Sequence, residues 1–289
     1  MEERTMRKRM IVLGSAFLGL WLLAFLMAPV CACPDADNDG ICDADDPCPN
    51  DADNDADGDG ICGDEDACPN DADNDADGDD ICGDLDNCPD TANPGQEDCD
   101  DDGEGDACEA PGSVVINEIM YNPQTAVDTV GEWIELHNTG GLPIDITGWL
   151  IRDSLTINLT TIGSEDNPAI IDCKGFFLLA RNSVPDVNGG LPEVDWVFDF
   201  ALNNDVGDSV VLFKPGQGDP VLVDRVDYND DESWPFCLDP DPDLDRGLSI
   251  ELADPMLDNN DGANWHCASE NYGAGDFGTP KAPNSQGLP

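Results

Sequence analysis

The sequence predicts an all-β protein, an antiparallel β-sandwich preceded by an irregular segment held by metal and disulfides instead of a core. Three observations carry that expectation. From Ser113 onward, short apolar runs alternate with Gly, Pro and Asn turn signals, and no helical periodicity is sustained. Residues 33–110 hold 31 acids, no Lys or Arg and no aromatic, whereas fifteen aromatics follow residue 110. Thirteen cysteines point to an oxidising compartment, and eight of them (Cys42, Cys48, Cys62, Cys68, Cys82, Cys88, Cys99 and Cys108) lie among the acids.

The chain therefore divides into a leader (1–32), an acidic segment (33–110) and a core-bearing domain (111–289). Its formal net charge of −53 over 289 residues excludes nucleic acid as a partner, because displacing counterions from phosphate needs Lys and Arg. The same charge disfavours docking on an anionic membrane surface. In the leader, Arg4, Arg7, Lys8 and Arg9 precede an uncharged run from Met10 to Pro34. A basic start followed by an apolar stretch is an export signal. The run is also long enough to span a bilayer uncleaved, and Val30-Cys31-Ala32-Cys33 loosely resembles a lipobox. Cleavage, lipidation at Cys33 and an uncleaved anchor all export the chain, and membrane contact is expected only through this region.

Residues 37–88 repeat with a period of 20: Asp37-Asn-Asp-Gly-Ile-Cys42, Asp57-Gly-Asp-Gly-Ile-Cys62 and Asp77-Gly-Asp-Asp-Ile-Cys82 superpose. Each unit carries an aspartate ladder, Asp35/Asp37/Asp39, Asp55/Asp57/Asp59 and Asp75/Asp77/Asp79, with a fourth at Asp98/Asp100/Asp102. Calcium takes six to eight oxygens, and carboxylates at loop positions 1, 3 and 5 converge on it, while Gly at 6 allows the sharp turn and a late acid closes the shell. Gly40, Gly60 and Gly103 follow three ladders, and Asp80 replaces the glycine in the other. Late acids stand at Asp43 and Asp46 in the first loop and at Asp106 and Glu109 in the fourth. The middle loops have Asp66 and Asp86 at position 12, with Asp64 and Asp84 placed to contribute through water. All twenty carboxylates are candidate Ca2+ ligands.

An EF-hand would need an amphipathic helix on either side of each loop. The only large apolar residues between 34 and 110 are Ile41, Ile61, Ile81 and Leu85. Ordering each residue costs roughly 1–2 kcal/mol of backbone entropy, so metal and disulfides must hold the segment. Without metal, an acidic disordered linker is expected. The pattern from Asp35 to Cys48, and that from Asn87-Cys-Pro-Asp-Thr-Ala-Asn-Pro-Gly-Gln-Glu-Asp98 to Gly105-Asp-Ala-Cys108, resembles the thrombospondin type 3 repeat. That resemblance implies a chain wound around calcium ions with little regular secondary structure, and a Cys88–Cys108 disulfide. The cysteines after Ile41, Ile61 and Ile81 also leave room for shorter bridges such as Cys48–Cys62 and Cys68–Cys82. With Cys173, Cys237 and Cys267 further on, at least one downstream cysteine is left over if pairing stays within segments.

In the C-terminal domain the expected strands are Val114–Met120, Trp133–His137, Ile144–Ile151, Ile170–Ala180, Val194–Phe200, Ser209–Phe213, Val221–Val226 and Leu248–Leu252. Ile116-Asn-Glu-Ile-Met-Tyr-Asn-Pro123, Gly131-Glu-Trp-Ile-Glu-Leu-His-Asn138, Ile144-Asp-Ile-Thr-Gly-Trp-Leu150, Asp208-Ser-Val-Val-Leu212 and Gly278-Thr-Pro-Lys-Ala-Pro-Asn284 stand in the order of a lamin tail domain, which this region resembles. The resemblance implies an immunoglobulin-like sandwich and a surface-attachment or targeting role.

Candidate chemistry in this domain competes with packing. Glu118, Glu132, Glu135 and His137 would form an acid–base or metal site if they converged, and otherwise are cross-strand pairs. Trp133, Trp149, Trp234 and Trp265 read as core before sugar platform. His266 beside Cys267 lacks the orienting group and oxyanion site of a nucleophilic dyad. Asn158-Leu-Thr160 matches a glycosylation sequon. The expected function is an exported or surface-bound, non-enzymatic, calcium-binding attachment protein whose sandwich meets a surface, matrix or protein partner. The rivals are a calcium-assisted hydrolase of phosphodiesterase type and a calcium store or mineral binder.

Overall fold

The computed structural model describes residues 33–153, 159–204, 207–228, 234–235, 237 and 247–286. The leader, the Asn158 sequon and the stretch 238–246 lie outside the described residues. The chain falls into two compact units, Met1–Ala72 and Asp73–Pro289.

The described part of the first unit, from Cys33, has no strand or helix. Its backbone hydrogen bonds are short turns, such as Asp51 N to Cys48 O (3.0 Å) and Glu65 N to Cys62 O (2.9 Å). Disulfides Cys33–Cys42 and Cys48–Cys62 staple it. The Cys33 sulfur is thus bonded to Cys42, an arrangement in which it is not free for a lipid thioether, one of the three alternatives for the leader.

In the second unit, two more repeats of this kind precede a nearly all-β domain. Its elements are β1 (Val114–Met120), a one-turn helix α1 (Asp128–Gly131), β2 (Trp133–Asn138), β3 (Ile144–Asp145), β4 (Leu150–Asp153) and β5 (Thr160–Thr161). They continue through β6 (Ile170–Ile171), β7 (Phe176–Ala180), β8 (Trp196–Val197), β9 (Asp208–Lys214) and β10 (Val221–Tyr228). The last are β11 (Ile250–Leu252), β12 (Trp265–Cys267), β13 (Asn271–Tyr272) and β14 (Asp276–Phe277). A six-stranded sheet in the order β12-β11-β1-β2-β7-β8 accompanies a four-stranded sheet β10-β9-β4-β5. All ladders in the two sheets are antiparallel except β7 with β8, where Leu179 faces Trp196 and Ala180 faces Val197 in parallel.

Two expected strands are split. Ile144–Ile151 breaks at Gly148, whose φ of 81° needs a residue without Cβ strain, and Ile170–Ala180 breaks at the Asp172–Gly175 turn. Val194–Phe200 contributes only two strand residues. The core lies between the sheets and includes Ile116, Ile119, Ile134, Leu136, Phe177, Leu179, Leu212, Val226 and Ile250. Trp234 and Trp265 sit in it with ring centroids 5.7 Å apart, Trp149 packs against it, and Trp133 anchors a second cluster with Met120 and Leu178. The four tryptophans are packing groups, as the burial of aromatic area favours.

A bulge in β1 between Ile116 and Glu118 resets the alternation, so Ile116 and Ile119 both join the core while Glu118 faces the other side. There Glu118 lies opposite Glu135 of β2 and Glu251 of β11. All three are fully buried beneath the C-terminal segment from Thr279 to Ser285, which supplies their hydrogen-bond donors.

Every cysteine among the described residues is bonded. Cys88 joins Cys108, as the repeat resemblance implies. No downstream cysteine is left over, because Cys99 reaches out of the acidic segment to Cys173, and Cys237 pairs with Cys267. The second bond consumes the Cys267 thiol, so His266 and Cys267 do not form a nucleophilic pair. Such a disulfide density places the protein in an extracellular or exported setting. Among the described residues, no helix is long and apolar enough to cross a membrane.

Candidate metal centres

The aspartate ladders fold into four clusters. In each of Asp35/Asp37/Asp39, Asp55/Asp57/Asp59, Asp75/Asp77/Asp79 and Asp98/Asp100/Asp102, one carboxylate oxygen per residue lies within 4.8 Å of the others. The cause is local. The backbone takes a left-handed conformation at loop position 6, with φ of 96° at Gly40, 97° at Gly60 and 95° at Gly103. Asp80 holds the same position at φ 77°, a conformation that Asp, like Asn, tolerates better than most side chains with a Cβ.

Hydrogen bonds orient the carboxylates at positions 1, 5 and 12 and leave several oxygens at positions 1, 3 and 12 without a donor. Position 1 accepts from position 4, Asp35 from Asn38 N (2.7 Å), Asp55 from Gly58 N (2.8 Å) and Asp75 from Gly78 N (2.7 Å). Position 5 accepts from position 7, Asp39 from Ile41 N (2.7 Å), Asp59 from Ile61 N (2.8 Å), Asp79 from Ile81 N (2.9 Å) and Asp102 from Glu104 N (2.9 Å). Position 12 behaves alike: Asp46, Asp66 and Asp86 each accept at 2.8 Å from the N–H of the cysteine two residues on. Buried oxygens remain with no hydrogen-bond donor: Asp37 Oδ2, Asp46 Oδ2, Asp57 Oδ2, Asp66 Oδ2, both of Asp77, Asp98 Oδ1 and Glu109 Oε2. They fall at positions 1, 3 and 12 of the loops.

A buried carboxylate oxygen without a donor is costly, and clustering makes it more so. Burial, together with neighbouring carboxylates, raises the pKa of Asp37 and Asp77, whereas N–H bonds led by that from Asp80 hold Asp75 low. An all-oxygen, anionic donor set of this kind suits a hard cation such as Ca2+ and not a thiophilic metal.

The remaining predicted ligands are placed less centrally. Asp43 and Asp106, at position 9, each turn one oxygen to a backbone N–H, of Ala36 (2.8 Å) and Cys99 (2.9 Å). Asp64 and Asp84 are exposed and stand outside the four clusters. Residue-type reasoning overlooked the asparagines that link successive repeats. Asn54 Nδ2 donates to Asp39 Oδ2 (2.9 Å), and Asn93 N donates to Asp79 Oδ2 (2.7 Å), so the second oxygen of position 5 is oriented by the next unit. The recurrence of Asn54 and Asn74 one period apart is the signal that marks the first of these.

The fourth loop is fastened to the sandwich. Beside the Cys99–Cys173 bond, Glu109 Oε1 accepts from Gly141 N (2.8 Å) and Lys174 Nζ lies 3.3 Å from Asp100 Oδ2.

The acid–base candidates do not converge. Glu132 pairs with Arg181 (3.0 Å) and accepts from Leu202 N (3.1 Å), and burial lifts its carboxyl to about 7. Glu118 and Glu135 sit together, but under the C-terminal segment. Glu118 accepts from Ser249 Oγ and from Thr279 N (2.9 Å), and Glu135 accepts from Asn117 Nδ2 (3.0 Å) and Lys281 N (2.6 Å). Burial raises both, Glu135 to about 8. His137 lies on the same face of β2, two residues on from Glu135, but is taken up by other partners, with Nδ1 3.1 Å from Gly175 O and its ring stacked on Phe176 at 4.6 Å. Burial lowers its pKa, favouring the neutral ring. It lines a cleft of about 320 Å³ with Asn117, Lys174, Phe176, Leu252 and Asn284.

Residues 108–230 match the family model of the lamin tail domain. That span covers β1 through β10 together with the end of the fourth aspartate loop, and it is where the sandwich and its attachment to the repeats meet. Among solved structures, a crystal structure of a DUF4876 family protein from Bacteroides thetaiotaomicron is similar at 10% identity, over 60% of this chain and 72% of that one, with a TM-score of 0.35. None of the curated proteins matches the chain.

Proposed function

We propose that the chain is an exported, calcium-binding attachment protein without enzymatic activity, in which a calcium-stiffened repeat segment presents a lamin-tail-like sandwich to a surface, matrix or protein partner. The observation that carries the calcium reading is the set of donorless buried oxygens at loop positions 1, 3 and 12, which a cation would satisfy at once. Asp46 is the clearest, being 9% exposed with one oxygen bonded to Cys48 N and the other bonded to nothing. Asp35, Asp37, Asp39 and Asp46 would hold the first ion, Asp55, Asp57, Asp59 and Asp66 the second, Asp75, Asp77, Asp79 and Asp86 the third, and Asp98, Asp100, Asp102 and Glu109 the fourth. What calcium supplies is charge neutralisation that lets an acidic segment without a core become rigid.

The attachment reading rests on the lamin tail match and on the separate partners found for Glu118, Glu132 and His137. Substituting Asp37, Asp57 and Asp77 together by Asn, which keeps volume and removes three charges, should abolish calcium binding at three loops and leave the sandwich folded. Unchanged calcium stoichiometry in that variant would refute the ligand assignment. A hydrolytic activity lost in His137→Ala with the fold retained would overturn the non-enzymatic reading.

A further inference from the structure

We propose that Lys174 is a tethered cation that competes with calcium for the fourth aspartate loop, making that loop the site through which calcium acts on the sandwich. The inference rests on the calcium reading of the loops. Asp100 holds the middle position of its cluster, and its side chain is only 2% exposed. Its Oδ2 accepts no hydrogen bond, yet the Lys174 ammonium stands 3.3 Å away. In the other loops the corresponding oxygens, of Asp37, Asp57 and Asp77, are donorless too, and among the described residues no cation reaches them. No Lys or Arg occurs anywhere in residues 33–110, so the competing charge is contributed by the sandwich alone.

The lysine is aimed by its surroundings. Its neighbour Cys173 is bonded to Cys99, next to Asp100. Its own N–H donates to Gly140 O (2.9 Å), and its φ of 48° turns the side chain out of the tight turn before β7. Nζ also donates to Thr139 O (3.1 Å), so the ammonium bridges the β2–β3 connection and the aspartate loop.

A divalent ion and an ammonium on one carboxylate repel each other at contact distance. Calcium at the fourth loop therefore drives Lys174 off Asp100. The side chain is already 49% exposed and lies in the wall of the His137–Phe176 cleft, where the freed ammonium changes the charge of the lining. Conversely, the pair must be broken before calcium binds, which weakens this site relative to the other three. A half-exposed ion pair corresponds to roughly a threefold to fivefold factor in affinity.

The test uses the full oxidised chain. Calcium titration of wild type should show one weaker site, and Lys174→Met should tighten that site about threefold to fivefold while leaving the other three unchanged. In wild type, labelling of Lys174 by an amine-reactive reagent, read by peptide mass spectrometry, should accelerate when calcium is added; this arm needs no variant. Four sites unaffected by Lys174→Met, or a labelling rate indifferent to calcium, would overturn the competition while leaving the calcium reading intact. No calcium binding at all would remove both.

Discussion

Raising the pH should destabilise the sandwich through the carboxyls buried beneath its C-terminal segment. Glu135 sets the scale. Burial holds its pKa at about 8, against an ordinary 4.5. A carboxyl raised in the folded state binds more protons there than in the unfolded chain, so its contribution is complete below about pH 4.5 and is lost as the pH climbs through 8. Each pH unit inside that window removes roughly 1.4 kcal/mol, so moving from about pH 5 to about pH 7 should cost about 2–3 kcal/mol from this residue. Glu118 shifts in the same direction, by burial reinforced by the Glu135 and Glu251 charges. The assay is urea unfolding followed by tryptophan fluorescence, in chelator, at both pH values. Charge repulsion across the acidic chain also grows with pH, and the comparison with Glu135→Gln isolates the buried group. The variant should lose about 2 kcal/mol of the pH dependence. Parallel pH profiles for wild type and variant would refute the buried-proton reasoning.

Two further outcomes follow from the packing. Cys99→Ala with Cys173→Ala opens a loop of 74 residues, and the chain-entropy relation puts the loss at about 4 kcal/mol, read as a drop in the urea midpoint; a change under about 1 kcal/mol would show that the bond constrains little. Arg181→Met leaves the buried Glu132 with the Leu202 N–H but without its guanidinium partner and should cost about 3 kcal/mol above pH 7. The cost should shrink at low pH, where the carboxyl, whose pKa is raised to about 7, is neutral; equal costs at both pH values would contradict that.

How far the structure was legible depended on how local each feature is. The clusters are set by alternate aspartates and one left-handed residue, all within a dozen positions, so spacing alone located Asp35/Asp37/Asp39 and its three counterparts. Strands β1 and β2 were legible for the same reason, through apolar runs bounded by turns. Their consequences were not. The β1 bulge, which reverses the side on which Glu118 lies, leaves no mark in residue types. The donors to Glu118 from Thr279 are 161 residues away along the chain, and no periodic pattern reports a partner at that distance. The strand β12 is three residues long, too short for an apolar run bounded by turns, so it was not among the expected strands. The Cys99–Cys173 bond escaped because pairing was sought inside the repeat, and with it the approach of Lys174 to Asp100 was invisible.

The central claim is that the aspartate loops bind calcium and become rigid by doing so. Calorimetric titration of the oxidised full chain with calcium, with small-angle scattering at the start and the end, tests it most directly. Extracellular calcium modules bind at about 10⁻⁴–10⁻³ M, and each site adds roughly 1.4 kcal/mol at ten times its dissociation constant. The prediction is saturable binding at four loops in the millimolar range, a compaction of residues 35–109 and little response to magnesium, which prefers a smaller octahedral shell. A chain that takes up no calcium at millimolar concentration, or that binds it with no change in dimensions, would contradict the account.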